Sequence, residues 1–593
     1  MIVRMKQLSL VVLEKYREES LLDLRRLGLL HVKYIKSPQS SIIDSLGQQI
    51  EDTQKALLII SQYHPRDREE KYIDKKSILP LAAQIISWNK QREDCFQEKE
   101  NIENKISWYK DWGEFSASSL KDLARQGIYI RLYKCSKKEL GVLSKTSTVE
   151  VIKKQGSNYN IAVVSLMNEH QINLPEVIPP DEDLPILKKQ LKAIADKISS
   201  IDNLLMEKAS YRRAFLNDLT NLQKSLDFNR VKSGMQEEGE ISCLQGFMPA
   251  GEVVRLVNLA NRKGWAYLIQ EPDNPQEVPT LIRNPRWLRI IEPVFKFMGT
   301  LPGYNEMDIS FSFLLFFSLF FALLIGDAGY GLVFLLITYL LRKRISRLPP
   351  EPFILMYVLS FAAIIWGALS GTWFGAETIA ELPILKTMIV GRLNSFIDIN
   401  QPFMMYICFL IGALHLSLAH TSIALRIINS LRALAQLGWI LIIWGLFFIA
   451  GNLVLGKELF RYTAVMFFSG IGLVLLFSHP QKNILKGLGI TLADLPLRVI
   501  SSFSDIISYL RLFAVGYATV AVASSFNNMA LRIGFGNILG GFSSSVILFL
   551  GHGLNILLGL MAVIVHGIRL NMLEFSSHLG MQWSGIEYKP FRE

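Results

Sequence analysis

At 593 residues the chain exceeds one ordinary domain. Its 50% hydrophobic and 19% charged composition averages two unlike halves: 45 basic and 39 acidic residues precede Leu301, and only 18 and 13 follow it. The net charge of +11 is shared almost evenly by the halves, and the basic residues of the first are interleaved with acids without an aromatic-laced basic run, which argues against a nucleic-acid-binding face.

In chain order, an apolar run Leu8 to Leu13, a helical stretch Glu14 to Leu27 with Leu21, Leu24 and Leu27 on one face, a stop at Gly28 and a second apolar run Leu29 to Ile35 predict β-α-β. The opening residues lack a signal-peptide cleavage pattern, so this half is expected in the cytoplasm. Ile43, Leu46, Ile50, Leu57 and Ile60 follow a heptad rhythm, with Thr53 filling the gap. A longer series runs through Leu187, Leu191, Ile194, Ile198, Ile201 and Leu205 and resumes at Phe215, Leu219, Leu222 and Leu226. Asp183 and Pro185 suit its start, and the series predicts one helix of about 60 Å. Its apolar seam needs a partner, for which Leu81 to Trp112 is the candidate. Strand-like runs Ile128 to Tyr133 and Ile161 to Val164 lie between these helices, and Ile241 to Phe247, a helix from Glu252, and Trp265 to Ile269 follow them. The expected architecture is an α+β region of two small lobes (1–40 with 230–275, and 114–175) joined by an antiparallel coiled coil (41–113 and 183–228). An ordinary helical bundle is the alternative.

The four cysteines, Cys95, Cys135, Cys243 and Cys408, have neither metal-ligand nor disulfide-framework spacing and read as reduced structural thiols. Phosphate-loop, zinc-protease and hydrolase-elbow motifs are absent. No catalytic, cofactor or metal site is expected in this chain.

Residues 301–593 contain seven apolar stretches of spanning length: 309–341, 353–373, 402–425, 434–455, 462–478, 499–530 and 542–573. The first is too long for one span, and Gly326-Asp327-Ala328-Gly329-Tyr330-Gly331 offers a turn at its middle. Splitting it gives eight transmembrane helices. With the first half inside, eleven basic residues (Arg342, Lys343, Arg344, Arg347, Arg426, Arg432, Lys482, Lys486, Arg498, Lys589, Arg592) fall in inner loops and five (Lys386, Arg392, Lys457, Arg461, Arg532) in outer ones.

Two basic residues remain, Arg511 and Arg569, both within apolar spans. A charge at mid-membrane costs at least about 3 kcal/mol, and a guanidinium does not deprotonate in proteins. Each must therefore face a carboxylate, a polar cavity or water. Structural pairs, Arg511 with Asp505 and Arg569 with Glu574, are one reading. The other is a functional cation, favoured for Arg511 because Ala514, Gly516, Ala518, Ala521, Ala523, Ser524 and Ser525 follow it, and small side chains let another helix slide close. His552, Asn555, His566 and Glu574 on the last span add polar groups near one helix side, where hydrogen-bonded packing competes with a hydrated path.

These residues resemble subunit I of the V/A-type ATPases, equivalent to subunit a of the vacuolar enzyme. The resemblance extends over most of the chain and is strongest after residue 240. It is carried by Leu27 to Val32, Gly246-Phe247-Met248-Pro249, Val278 to Leu281 with Asn284-Pro285, Gly303 to Asp308, Gly326 to Gly331, Ser370 to Gly375, Gly412 to Leu416, Tyr509 to Leu512 and His566 to Leu570. It implies a stator subunit that forms ion half-channels against a rotor ring of c-type (proteolipid) subunits and anchors peripheral-stalk subunits of the E/G type. It also implies a multi-pass place in a prokaryotic cell membrane. Arg511 would meet each ring carboxylate and block leakage, Arg569 would assist, and Glu574, His566 and Asn555 would line half-channels for protons or sodium. Where eukaryotic relatives often carry a glutamate ten residues before the second arginine, this chain has Gly559, and the prolines common after the Asp308 position are missing. A stand-alone secondary transporter would instead show repeated halves with matching broken helices, and only one glycine-rich break is visible. A membrane-anchored scaffold would leave Arg511 and Arg569 unexplained.

Overall fold

The structure, a computed structural model, describes residues 1–64, 75–146, 148–156, 158–166, 172, 174–345, 348–478 and 484–593. Arg347 and Lys482, counted above as inner charges, lie outside the described residues. Contacts divide the chain into two units: Leu10–Gly28, Val32–Gln245 and Phe591–Glu593 in one, and Met1–Ser9, Leu29–His31 and Gly246–Pro590 in the other. The division falls at Gln245, earlier than the change in charge density near residue 300.

The predicted β-α-β opening is β1 (Met5–Leu13), α1 (Arg17–Leu27) and β2 (His31–Lys33). Gly28 ends α1 with φ 64°, a left-handed cap that glycine adopts without Cβ strain. Helices α2 (Ser41–Ser61) and α3 (Lys75–Trp112) lead out; α4 (Ala117–Arg125), β3 (Tyr129–Ser136), α5 (Lys137–Thr146), β4 (Thr148–Gln155) and β5 (Asn158–Ser165) form the far lobe, and α6 (Leu184–Lys208) and α7 (Arg212–Gly234) return. The far lobe's antiparallel sheet has the order β3-β5-β4.

The stalk is antiparallel: Tyr109 donates to the Glu182 carbonyl at 2.9 Å, and Arg92 pairs with Asp202 at 2.6 Å. One seam buries Cys95, Ile102 and Tyr109 of α3 against Leu184, Leu187, Ile194 and Ile198 of α6. A second joins Ala56 and Ile60 of α2, Ile78 to Ile85 of α3, Ile201, Leu205 and Phe215. Two expectations are corrected. The returning helix is not continuous, because a 3₁₀ turn at Ala209–Tyr211 separates α6 from α7. In α2, Ala56 rather than Leu57 is fully buried, while Thr53 fills the seam as expected.

After α7 come β6 (Gln236–Glu238), β7 (Ile241–Pro249), α8 (Val253–Lys263), β8 (Ala266–Gln270) and β9 (Pro279–Thr280). The near sheet has the order β2-β7-β1-β8, with β6 on β7. Gly246 is required in β7, since a Cβ there would stand 2.5 Å from the His31 carbonyl oxygen. Helix α9 (Glu292–Met298) precedes the apolar half.

The apolar helices are α10 (Ser310–Ile325), α11 (Ala328–Arg344), α12 (Glu351–Ser370), the short α13 (Glu377–Ala380) and α14 (Pro383–Lys386), α15 (Gln401–Arg426), α16 (Arg432–Leu455), α17 (Thr463–Phe477), α18 (Ile484–Ser508), α19 (Leu510–Ile533), α20 (Ile538–Ala562) and α21 (Ser576–Leu579). Five segments are long and apolar enough to cross a membrane: Glu351–Ser370, Asp398–Arg426, Arg432–Leu455, Leu488–Ile533 and Ile538–Leu579. The sixth candidate is bent by 119° between α10 and α11, and α17 is a shorter apolar helix. The eight apolar stretches expected are all helical among the described residues, but five qualify as spans on their own, or six if the bent pair is one span; α10, α11 and α17 are each too short to qualify alone. The fold is a helical polytopic membrane protein with an N-terminal α+β region.

Truncating Leu205, fully buried where the second seam meets the 3₁₀ turn, to alanine should destabilise the stalk by about 2–5 kcal/mol. Faster amide hydrogen exchange in α6 and α7 of the detergent-solubilised chain, with exchange in α10–α12 unchanged, is the expected readout.

Candidate ion-path site

The site is built on the paired α18–α19 and on the last span. Between Ser508 and Leu510 the long helix tightens to i→i+3 bonds, Tyr509 N–H to the Ile506 carbonyl at 3.2 Å and Leu512 N–H to the Tyr509 carbonyl at 3.0 Å. Tyr509 is fully buried against α15, where a Cβ on Gly412 would come within 2.7 Å of its ring. Its hydroxyl meets His415 Nδ1 at 2.8 Å, and the His415 ring is stacked between Phe316 and Phe575. This anchor fixes Arg511 two residues further on.

Behind α19 stands the α10–α11 hairpin. Asp327 caps α11 through the Tyr330 N–H at 3.1 Å and also accepts from the N–H groups of Phe374 at 2.9 Å and Gly375 at 2.8 Å. Phe374 and Gly375 have φ of 52° and 61°, so successive amides turn toward the carboxylate as an anion nest. The two glycine-rich motifs, Gly326 to Gly331 and Ser370 to Gly375, are therefore halves of one turn-locking contact. Gly516 lets α19 close on the hairpin, because a Cβ there would lie 2.3 Å from the Leu323 carbonyl oxygen.

Arg511 is half-buried, its Nη1 has no hydrogen-bond partner, and no ion pair to it occurs among the described residues. The Arg511–Asp505 pair does not form; Asp505 instead bonds His578 at 3.1 Å. Arg569 does pair with Glu574, Nε to Oε1 at 3.5 Å, while 52% of its side chain stays exposed. Glu574 is buried and its Oε2 is unpartnered among the described residues, as is His566 Nδ1. Both arginines act electrostatically on His566 and on Glu574.

The fold thus gathers Arg511, Arg569, His566 and Glu574. Asn555 is elsewhere, 19 residues or about 28 Å along the helix from Glu574. Its amide donates to Tyr330 Oη at 2.9 Å and the Thr519 carbonyl at 2.8 Å, and the network continues through His552 to Asn527. Two π-helical stretches, Val563–Gly567 and Leu570–Phe575, carry His566 and Glu574 and shift the register that simple helical spacing assumes.

The small-residue face also needs correction. Ala514, Ala518, Ala521 and Ser525 are exposed and repeat at four, three and four residues, in line with Arg511. Gly516 and Ala523 are buried; a Cβ on Gly375 would stand 2.4 Å from that of Ala523.

Sequence reasoning missed a polar cavity of ≈ 440 Å³ lined by His420, Gln436, Arg498, Ser501, Asp505 and His578, among others. Its signal in the sequence was only scattered polar residues in apolar spans. The site defines a polytopic membrane protein with a cation, unpaired among the described residues, beside a face of small side chains.

No family model matches the chain. It is 33% identical over 615 residues to the V-type ATP synthase subunit I of Borreliella burgdorferi and 31% identical over 640 residues to subunit I 1 of Treponema pallidum, each alignment covering 100% of both chains. The A-type ATP synthase subunit I of Methanocaldococcus jannaschii is 26% identical over 450 residues, 70% of this chain and 64% of that one. The chain belongs to the subunit I family of V/A-type ATP synthases.

Asp327→Ala should unlock the hairpin behind Arg511, leaving three buried N–H groups without their acceptor at about 1–3 kcal/mol each. A lowered thermal midpoint of the purified chain in mild detergent, partly restored in Asp327→Asn, is expected.

Proposed function

We propose that this chain is the stator subunit that carries ions past a rotor ring. The observation that carries the reading is the half-buried Arg511 guanidinium, unpaired among the described residues, at the head of an exposed stripe of Ala514, Ala518, Ala521 and Ser525. A ring carboxylate arriving across that stripe supplies the missing counter-charge. At an effective dielectric of about 20, such a pair at 4 Å is worth roughly 4 kcal/mol, enough to displace a bound ion yet release it as rotation continues. Because the cation blocks the direct route between two half-channels, ions travel around with the ring.

Arg569 is held by Glu574 and shapes the field on Arg511's flank; His566 and Glu574 line the path. Asn555 and His552 belong to a hydrogen-bonded lattice towards the opposite end of the last span. In this reading residues 1–300 are a cytoplasmic arm whose coiled coil meets peripheral-stalk subunits of the E/G type and resists torque, residues 301–593 form the membrane domain, and the host membrane is a prokaryotic cell membrane. Nucleotide chemistry belongs to other subunits of the complex.

In the assembled complex, Arg511→Ala should abolish ATP-driven ion transport, at least a hundredfold below wild type, with the subunits still co-purifying on native gels. Transport at the wild-type rate in that variant contradicts the assignment.

A further inference from the structure

The cavity contains a chain of four groups, one each from α15, α16, α18 and α21. Gln436 Oε1 lies 2.7 Å from His420 Nδ1, His420 Nε2 lies 3.0 Å from His578 Nδ1, and His578 Nε2 lies 3.1 Å from Asp505 Oδ2. His420 is 5% exposed, held flat against Trp439, and the His578 side chain is 8% exposed. His578 stands one helical turn beyond Glu574, whose Oε2 is unpartnered. Among the described residues, the other charged or titratable groups around the chain include His415, which interacts electrostatically with His578, Arg498, paired with Asp494 at 2.5 Å, and Glu574 with Arg511 and Arg569 beyond it.

Proton counting decides what this chain does. An amide oxygen and a carboxylate only accept. With Gln436 presenting Oε1, His420 must carry a hydrogen on Nδ1, leaving Nε2 to accept from His578 Nδ1–H. The remaining His578 Nε2 and Asp505 Oδ2 then share a hydrogen only if the chain holds a third proton, one more than two neutral imidazoles supply. If the Gln436 amide turns over, its NH₂ donates to His420 Nδ1. Then His420 Nε2–H donates to His578, and His578 Nε2–H to Asp505. Two protons now satisfy all three contacts. The same scaffold is fully hydrogen-bonded in two states that differ by one proton.

Resting on the stator reading, we infer that His420, His578 and Asp505 form a proton-storing relay at the mouth of the ion path, so that the transported ion is the proton and not sodium. One N–H bond forms as a proton arrives from water in the cavity. One breaks as it leaves toward Glu574, and the Gln436 amide turns to accommodate each state. No redox partner is involved, and a sodium ion cannot replace the shared hydrogens.

The test uses the whole complex in sealed vesicles, with ATP-driven acidification followed by a pH-sensitive dye and sodium uptake by radioactive sodium. Wild type should acidify without sodium. His578→Gln and Asp505→Asn should slow acidification at least tenfold in assembled complexes, and His578→Gly should recover several-fold when millimolar imidazole is added, which a purely structural defect would not show. Sodium uptake without sodium-independent acidification, or a wild-type rate in assembled His578→Gln, overturns the relay. If His578→Gln does not assemble, the wild-type ion assay and imidazole rescue decide. Arg511→Ala separates the two ideas: inactive Arg511→Ala with normal His578→Gln removes the relay alone, and active Arg511→Ala removes the stator reading.

Discussion

A permanent positive charge, half-buried in an apolar segment long enough to cross a membrane and without a counter-charge from the described residues of its own chain, is the constraint around which the apolar half is arranged. Burial of an unpaired ion is costly, so the surrounding packing must over-determine its position. Tyr509, locked into the space left by Gly412 and bonded to His415, fixes the turn that presents Arg511. The α10–α11 hairpin, itself closed by the Asp327 carboxylate in its nest of amides, supports α19 through the close approach at Gly516. The outward face is left to small side chains. Rigidity behind and smoothness in front are what a fixed cation needs if its partner moves.

The two arginines illustrate how environment divides labour between identical side chains. Arg569 has a carboxylate at 3.5 Å and half its surface open, whereas Arg511 has no ion pair among the described residues and a buried, unpartnered nitrogen. Only the second retains its full capacity to attract an incoming anion. The wider turns of the last span matter here, because they set His566 and Glu574 toward the arginines while Asn555 is taken up in packing with Tyr330 and Thr519.

Much of this was legible in the sequence. The Gly28 stop, the break at Gly326 and most of the heptad positions are local signals that the fold follows, and the two arginines within apolar segments stand out in the sequence without any fold. The gap between Leu205 and Phe215 was visible, but Ala209-Ser210-Tyr211 contains no glycine or proline to announce a 3₁₀ turn. Composition marked the small residues after Arg511, yet only packing shows that Gly516 and Ala523 face inward. Asn555 looked like its polar neighbours because periodicity carries no information about partners. The His420–His578 contact joins residues 158 positions apart, and the π-helical register around Glu574 has no residue signature, so both became visible only in the fold.

A stator of this kind requires a rotor to pass the face that Arg511 heads. A cysteine placed at the exposed Ala518, oxidised in the assembled complex, measures this most directly. The account predicts a disulfide to a cysteine on the outer helix of a c-type ring subunit, with ATP hydrolysis stalled until reductant is added. A cysteine at 518 that never reaches the ring, and is modified instead by lipid-phase reagents at the same rate in free and assembled subunit, would contradict it.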